Sequence, residues 1–189
     1  MSIELAIPSR QKLPQYLDAL RRGWSPDNVQ PEATARREIE AITSDPEAFL
    51  AFKADDREAR GRPIRLPDGS EVPRLPGYVR WIWDGEFCGS IGFRWRPGTP
   101  ELPPHCLGHI GYSIVPWKRR KGYATRALAL LLESARHEGL PYVTITTIED
   151  NLPSQRVILA NGGEFVDRYR LPPQYLDDDE HLRFRIRLT

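Results

Sequence analysis

The opening apolar positions predict a short strand over residues 3–7. Helical segments follow and turn at Ser25-Pro26-Asp27-Asn28 and at Asp45-Pro46. Behind Pro31, which suits a first helical turn, Ala35, Ile39 and Ile42 recur at helical spacing, so 31–42 reads as an amphipathic helix. Residues 61–77 shift to Pro, Gly and charge, with Asp68-Gly69 as a hairpin or turn signal, and predict a surface loop able to flank a substrate site as a lid. Runs rich in aromatic and β-branched residues then cover 78–83, 87–95 and 107–115, broken by a turn at Asp84-Gly85 and by a Pro-rich stretch. They predict an antiparallel meander. Trp81, Trp83, Phe93 and Trp95 fall at strand spacing within it and are expected on sheet faces in the core.

After Val115 the period changes. Ala124, Ala127, Leu128, Leu131, Leu132 and Ala135 repeat at helical spacing before Gly139 and Pro141, which predicts a helix over 121–138. Residues 142–148 alternate as a strand; Asn151 can cap a further helix with Pro153 in its first turn, ending at Gly162-Gly163. Strands over 164–170 and 182–188, joined by a polar loop, close the chain. This order predicts an α+β fold of one domain, with a mixed, mostly antiparallel central sheet flanked by helices on both faces.

Composition adds exclusions. With 40% hydrophobic and 28% charged residues the chain reads as an ordinary globular one, and 27 basic against 26 acidic residues give no global reason to expect nucleic acid as a partner. The start lacks a basic flank and long apolar run, and no stretch approaches a membrane span, so a cytoplasmic location without membrane contact is expected. Cys88 and Cys106 form no CxxC pair and are expected as reduced thiols. His105, Cys106 and His109 lie close together, but an i, i+4 His pair converges on a helix rather than a strand, so no metal is expected.

The segment that carries chemistry runs from Gly111 through Tyr112-Ser113-Ile114-Val115 and the basic turn Lys118-Arg119-Arg120-Lys121 into the helix at Gly122-Tyr123-Ala124-Thr125. A helix N-terminus offers unpaired N–H groups and a positive dipole end, and Gly122 and Ala124 permit close backbone approach, so a diphosphate ligand is expected here. The spacing fits neither the P-loop nor the dinucleotide fingerprint, which disfavours ATP and NAD.

In Arg119, Gly122 and Ala124 this turn resembles the acetyl-CoA motif of the GNAT superfamily. Asn151-Leu152-Pro153-Ser154 followed by Asn161-Gly162-Gly163 is similar to the second motif of that family. The resemblance implies one GNAT-like domain over 1–189, with an N-terminal strand and helices in 1–60, the lid-like loop in 61–77 and a CoA-binding core in 78–189. It implies that acetyl-CoA is the co-substrate. Its pyrophosphate would lie on Arg119, Arg120, Lys121, Gly122, Tyr123, Ala124 and Thr125, its pantetheine arm along Ile114 and Val115, and Asn151 and Ser154 would complete the site. The implied reaction is acetyl transfer to a primary amine of a small molecule or peptide, by direct attack in a ternary complex; a homodimer is compatible with it.

One departure bears on catalysis. Ile158 stands where many members carry a general-acid Tyr, leaving Ser154, Tyr169, Tyr175 or water to protonate the CoA thiolate. The same departure motivates an alternative, a non-catalytic acyl-CoA sensor. His109 lies ten residues before Arg119, where members with a side-chain base often place a Glu, and is the candidate general base, the alternative being a strand histidine that only hydrogen-bonds a neighbour. The run Asp177-Asp178-Asp179-Glu180 is expected as a solvated loop, with attraction of a cationic acceptor as its functional reading.

Overall fold

The computed structural model of the chain describes residues 2–59 and 63–188; Gly61 and Arg62, which begin the expected lid-like loop, lie outside the described residues. The described part of that loop forms a small hairpin of β2 (Ile64–Arg65) and β3 (Glu71–Val72), turning through Asp68-Gly69. The N-terminal region holds β1 (Glu4–Ala6) and three helices, α1 (Leu13–Arg21), α2 (Pro31–Ser44) and α3 (Pro46–Ala54). Proline begins α2 and α3, and the Asp45 side chain accepts the Ala48 N–H, so the second helix stops and the third starts at one residue.

The meander forms as β4 (Gly77–Trp83), β5 (Phe87–Arg94) and β6 (Ile110–Ile114), and β1 joins its outer edge to give the order β1-β4-β5-β6. Helix α4 (Tyr123–Ala135), prolonged by a 3₁₀ turn over Arg136–Glu138, leads to β7 (Tyr142–Ile148). Then follow α5 (Leu152–Ala160), β8 (Glu164–Arg170) and β9 (Glu180–Arg187). These last strands form a second sheet of order β7-β9-β8, with β8 on its outside and a register shift between Phe165 and Asp167.

Two cores lie on opposite faces of the larger sheet, because residues of each strand alternate between them. On one face Trp81 stacks on Tyr16 at 4.7 Å between ring centroids, with Trp24, Phe49 and Phe87 around them under α1 to α3. On the other, Phe93 and Trp95 stack at 5.2 Å and share a core with α4 and the inner face of the second sheet. Helices therefore cover both faces, as the sequence pattern predicts. No helix among the described residues is long and apolar enough to cross a membrane.

The central sheet is divided, however, between β6 and β7. The two halves meet just before β6, where the His109 N–H donates to the Thr144 carbonyl at 2.8 Å and the Thr144 N–H donates to His109 Nδ1 at 2.9 Å. Gly108 permits that approach, since a Cβ there would stand 3.0 Å from the Thr144 oxygen. Beyond it the strands belong to separate sheets. The His109 carbonyl and the Val115 N–H turn to β5, accepting from the Arg94 N–H and donating to Cys88 O. By alternation, Tyr112 and Ile114 turn theirs into the gap, as Thr146 and Ile148 do on β7.

Gly89 of β5 faces the Ser113 carbonyl at φ +149°, and a Cβ there would come within 2.2 Å of that oxygen. Gly89→Ala is expected to cost roughly 2–3 kcal/mol, lowering Tm by about 4–12 °C for a chain of this size. Thermal denaturation followed by circular dichroism checks it; an unchanged Tm would show that the β5–β6 contact is looser than described.

Candidate functional site

The basic turn is built from its backbone. Val115 and Pro116 end β6, a 3₁₀ turn spans Pro116–Lys118, and Arg120 adopts φ +59° before Gly122 at φ +78° caps α4. The first N–H of α4 bonded to a helix-cap carbonyl is that of Arg126, donating to Gly122 O at 3.1 Å. The N–H groups of Tyr123, Ala124 and Thr125 thus belong to the helix's unpaired first turn. No heavy atom lies within 4 Å of the position a Gly122 Cβ would take. An anion can approach this helix end without displacing a side chain.

The turn is bolted from outside. Asp84, in the β4–β5 turn, accepts from Lys118 Nζ at 2.7 Å and from the Tyr123 hydroxyl, and Lys118 also lies 3.0 Å from Glu86. Burial opposes both charges, but these bonds prevail: they hold Asp84 well below the usual carboxylate range and raise Lys118 above the usual lysine range. The bond to Asp84, reinforced by burial, pushes Tyr123 up to about 12. Lys118 is therefore a structural member of the basic run, whereas Arg119 Nε donates to the Ile114 carbonyl at 3.2 Å on the gap side.

From this turn a groove runs between the two sheets. All the residues expected to hold the donor line it except Val115 and Lys121. The Lys121 side chain is exposed outside the groove. Val115 is fully buried under the N-terminal helices and its N–H is spent on Cys88, so the edge without backbone partners consists of Tyr112 and Ile114 instead, the Tyr112 carbonyl accepting from Asn28 Nδ2 at 3.3 Å. Sequence reading missed Tyr112, although strand alternation from Ile114 was a signal for it. It also missed Asp84, for which local sequence carries only a turn signal.

At the gap's other wall Asn151 caps α5 by accepting the Ser154 N–H at 3.1 Å, and the Ser154 hydroxyl lies 2.8 Å from the Tyr112 hydroxyl. Burial raises the pKa of Tyr112 and keeps it a neutral phenol. Ile158 is wholly buried in the core. Of the other hydroxyls considered, Tyr175 donates to the His105 carbonyl at 2.6 Å, and the Tyr169 ring lies under the Arg183 guanidinium at 4.3 Å. Ser154 and Tyr112 are thus the hydroxyls that meet across the gap.

His109 does not line the groove. It is fully buried, its ring lies 6.4 Å from that of Phe93, and Nδ1 is occupied by the Thr144 N–H. Burial first, then the Arg94 charge, lowers its pKa to about 4. An N–H donated to Nδ1 requires that nitrogen to be unprotonated, which fits a neutral ring. Near the same strand, Cys88 is buried, with burial pushing its thiol up to about 12; Cys106 is half-buried, and both are free. Among the described residues no three His, Cys, Asp or Glu side chains gather as a metal site.

The model of the acetyltransferase (GNAT) domain family matches residues 28–164. No curated protein matches the chain. Among solved structures, RimL, a ribosomal L7/L12 alpha-N-protein acetyltransferase in complex with coenzyme A, superposes with a TM-score of 0.63 at 13% identity, over 99% of this chain and 94% of that one. An acetyl transferase from Salmonella typhimurium, described as modifying the N-terminal serine of L7/L12, gives 0.63 at 12% identity over 100% and 96% of the two chains. The microcin C7 self-immunity acetyltransferase MccE, in complex with acetyl-CoA and AMP, gives 0.58 at 12% over 98% and 92%. At these identities the likeness is one of fold.

The buried neutral His109 has a consequence for stability. A histidine whose folded pKa is depressed is protonated first in the unfolded chain, so its contribution is full above about pH 6.5 and is lost as pH falls toward about 4. His109→Gln is expected to lower Tm at pH 7.5 and to flatten the decline of Tm between those two values. Parallel melting curves of variant and parent across that range would refute this if their slopes matched.

Proposed function

Because the chain belongs to the GNAT acetyltransferase family, we propose that it transfers an acetyl group from acetyl-CoA to a primary amine of a small molecule or peptide, by direct attack in a ternary complex. The observation that carries this reading is the gap between β6 and β7, whose free edge leads onto an open helix N-terminus. The pyrophosphate takes the N–H groups from Arg120 to Thr125, and Arg119 stands at the point where pantetheine enters. The pantetheine carbonyls accept from the N–H groups of Tyr112 and Ile114, as an added strand pairs with an edge. That places the thioester deeper in the gap.

Attack by the amine forms the C–N bond and expels the thiolate. Ser154 is the group to protonate it, with the Tyr112 hydroxyl 2.8 Å behind as the next donor. His109 serves as the brace that joins the sheets, since a buried ring already accepting a hydrogen bond has no path to the acceptor. An α-amine of the kind named for the L7/L12 acetyltransferases is one member of the acceptor class considered.

Release of free thiol from acetyl-CoA, made to depend on an added panel of amines, tests the reaction. Acetyl-CoA at about 100 times its Kd is expected to add about 2.7 kcal/mol to the stability of the folded chain, seen as a rise in Tm. Gly122→Asp should remove that rise by setting a carboxylate against the pyrophosphate. A folded Gly122→Asp protein with unchanged CoA affinity would place the phosphate elsewhere.

A further inference from the structure

We propose that His181, oriented by Asp177, is the general base that takes the proton of the acceptor ammonium. The inference rests on the amine acceptor read above. His181 is the second residue of β9, opposite Ile148 of β7 and Tyr169 of β8. Ile148 turns its backbone to the gap, so Ile148 and His181 form a pair without mutual backbone bonds, the kind in which side chains come closest. The backbone of β9 thus runs one strand spacing, about 4.8 Å, from the strand that edges the gap. The imidazole lies on the face opposite the core residues Leu182 and Phe184, beside the Tyr169 ring at 5.9 Å between centroids.

The ring is held as a base needs to be. Nε2 lies 3.2 Å from Asp177 Oδ2, and Asp177 is itself fixed because its Oδ1 accepts the Asp179 N–H at 2.8 Å. His181 and Asp177 both line the groove that contains Ser154 and Tyr112. Two other carboxylates there are committed. Glu38 accepts from the Tyr16 hydroxyl and Lys53, and Asp27 accepts from the N–H groups of Val29 and Gln30 and from the Thr34 hydroxyl.

The proton balance closes with His181 in this role. Its Nδ1 takes one proton from the ammonium, and the freed amine attacks the thioester carbon. The C–N bond forms and the C–S bond breaks. The second nitrogen proton ends on the CoA sulfur by way of the Ser154 hydroxyl, while His181 returns the first to solvent. Near the ring along the strands stand Asp177, Asp178, Asp179 and Glu180 from the loop and strand start, Tyr169 from β8, Arg183 on the same strand, Glu149 past the end of β7 with its partner Arg168 at 2.6 Å, and Arg170 opposite Glu180; acids outnumber bases among them. The net negative surroundings favour a cationic acceptor over an anionic one.

The test uses the amine panel with the full chain. His181→Ala should lower kcat/KM by about 10²-fold or more while keeping the acetyl-CoA-induced rise in Tm, and added imidazole should restore part of the rate. Asp177→Asn should lower kcat by a smaller factor than His181→Ala and leave the KM for acetyl-CoA unchanged, because the amide still reaches Nε2 but orients the ring less firmly. His181→Ala activity within about threefold of the parent, or an unchanged kcat in Asp177→Asn, would overturn the dyad and leave the acetyl transfer standing. A parent chain that acetylates no amine would overturn the acceptor reading and the dyad together.

Discussion

The molecule's chemistry depends on two hydrogen bonds between His109 and Thr144. A central sheet that continued across β6 and β7 would pair every backbone group and leave no room for a ligand. A sheet cut between them with nothing to join the halves would expose a core. Here the halves are pinned at one end, and a side-chain nitrogen replaces the backbone carbonyl that a continuing ladder would have supplied. Past the pin, Tyr112 and Ile114 face Thr146 and Ile148 without backbone partners across the gap; their carbonyls accept only side chains, Asn28 Nδ2 at 3.3 Å and Arg119 Nε at 3.2 Å. An unpaired backbone edge is costly unless it finds partners, and an extended amide-bearing chain supplies them.

What was legible in the sequence was what local rules decide. The periodicity from Ala124 to Ala135, the cap at Asn151 with Pro153 behind it, and the strands at 142–148 and 164–170 rest on residues adjacent in the chain. The basic turn before Gly122 was legible for the same reason. The division of the sheet was not, since nothing in residues 107–115 or 142–148 says that they meet at one point only. His109 illustrates the limit: its place in the strand suggested a base, but its burial is set by Phe93 and Thr144, partners distant in sequence. Val115 differs from Ile114 by one step of alternation, and that step decides whether its N–H meets Cys88 or the gap.

Asp84 shows how a distant residue can shape a binding turn. It joins the β4–β5 turn to Lys118 before the helix and to Tyr123 within its first turn. The backbone at Arg120 and Gly122, both at positive φ, is thereby held in place from two sides. A ligand that finds its amides already aimed loses less conformational entropy on binding than one that must order them.

The outermost strand, β8, carries a consequence of another kind. An edge strand with unpaired peptide groups and exposed Phe165 and Val166 is a template on which another extended chain could assemble. The register shift between Phe165 and Asp167 interrupts that template, and Asp167, Arg168 and Arg170 crowd its remainder with charge. A strand whose register is broken in this way offers a shorter, less regular template, so the irregularity works against fibrous self-association.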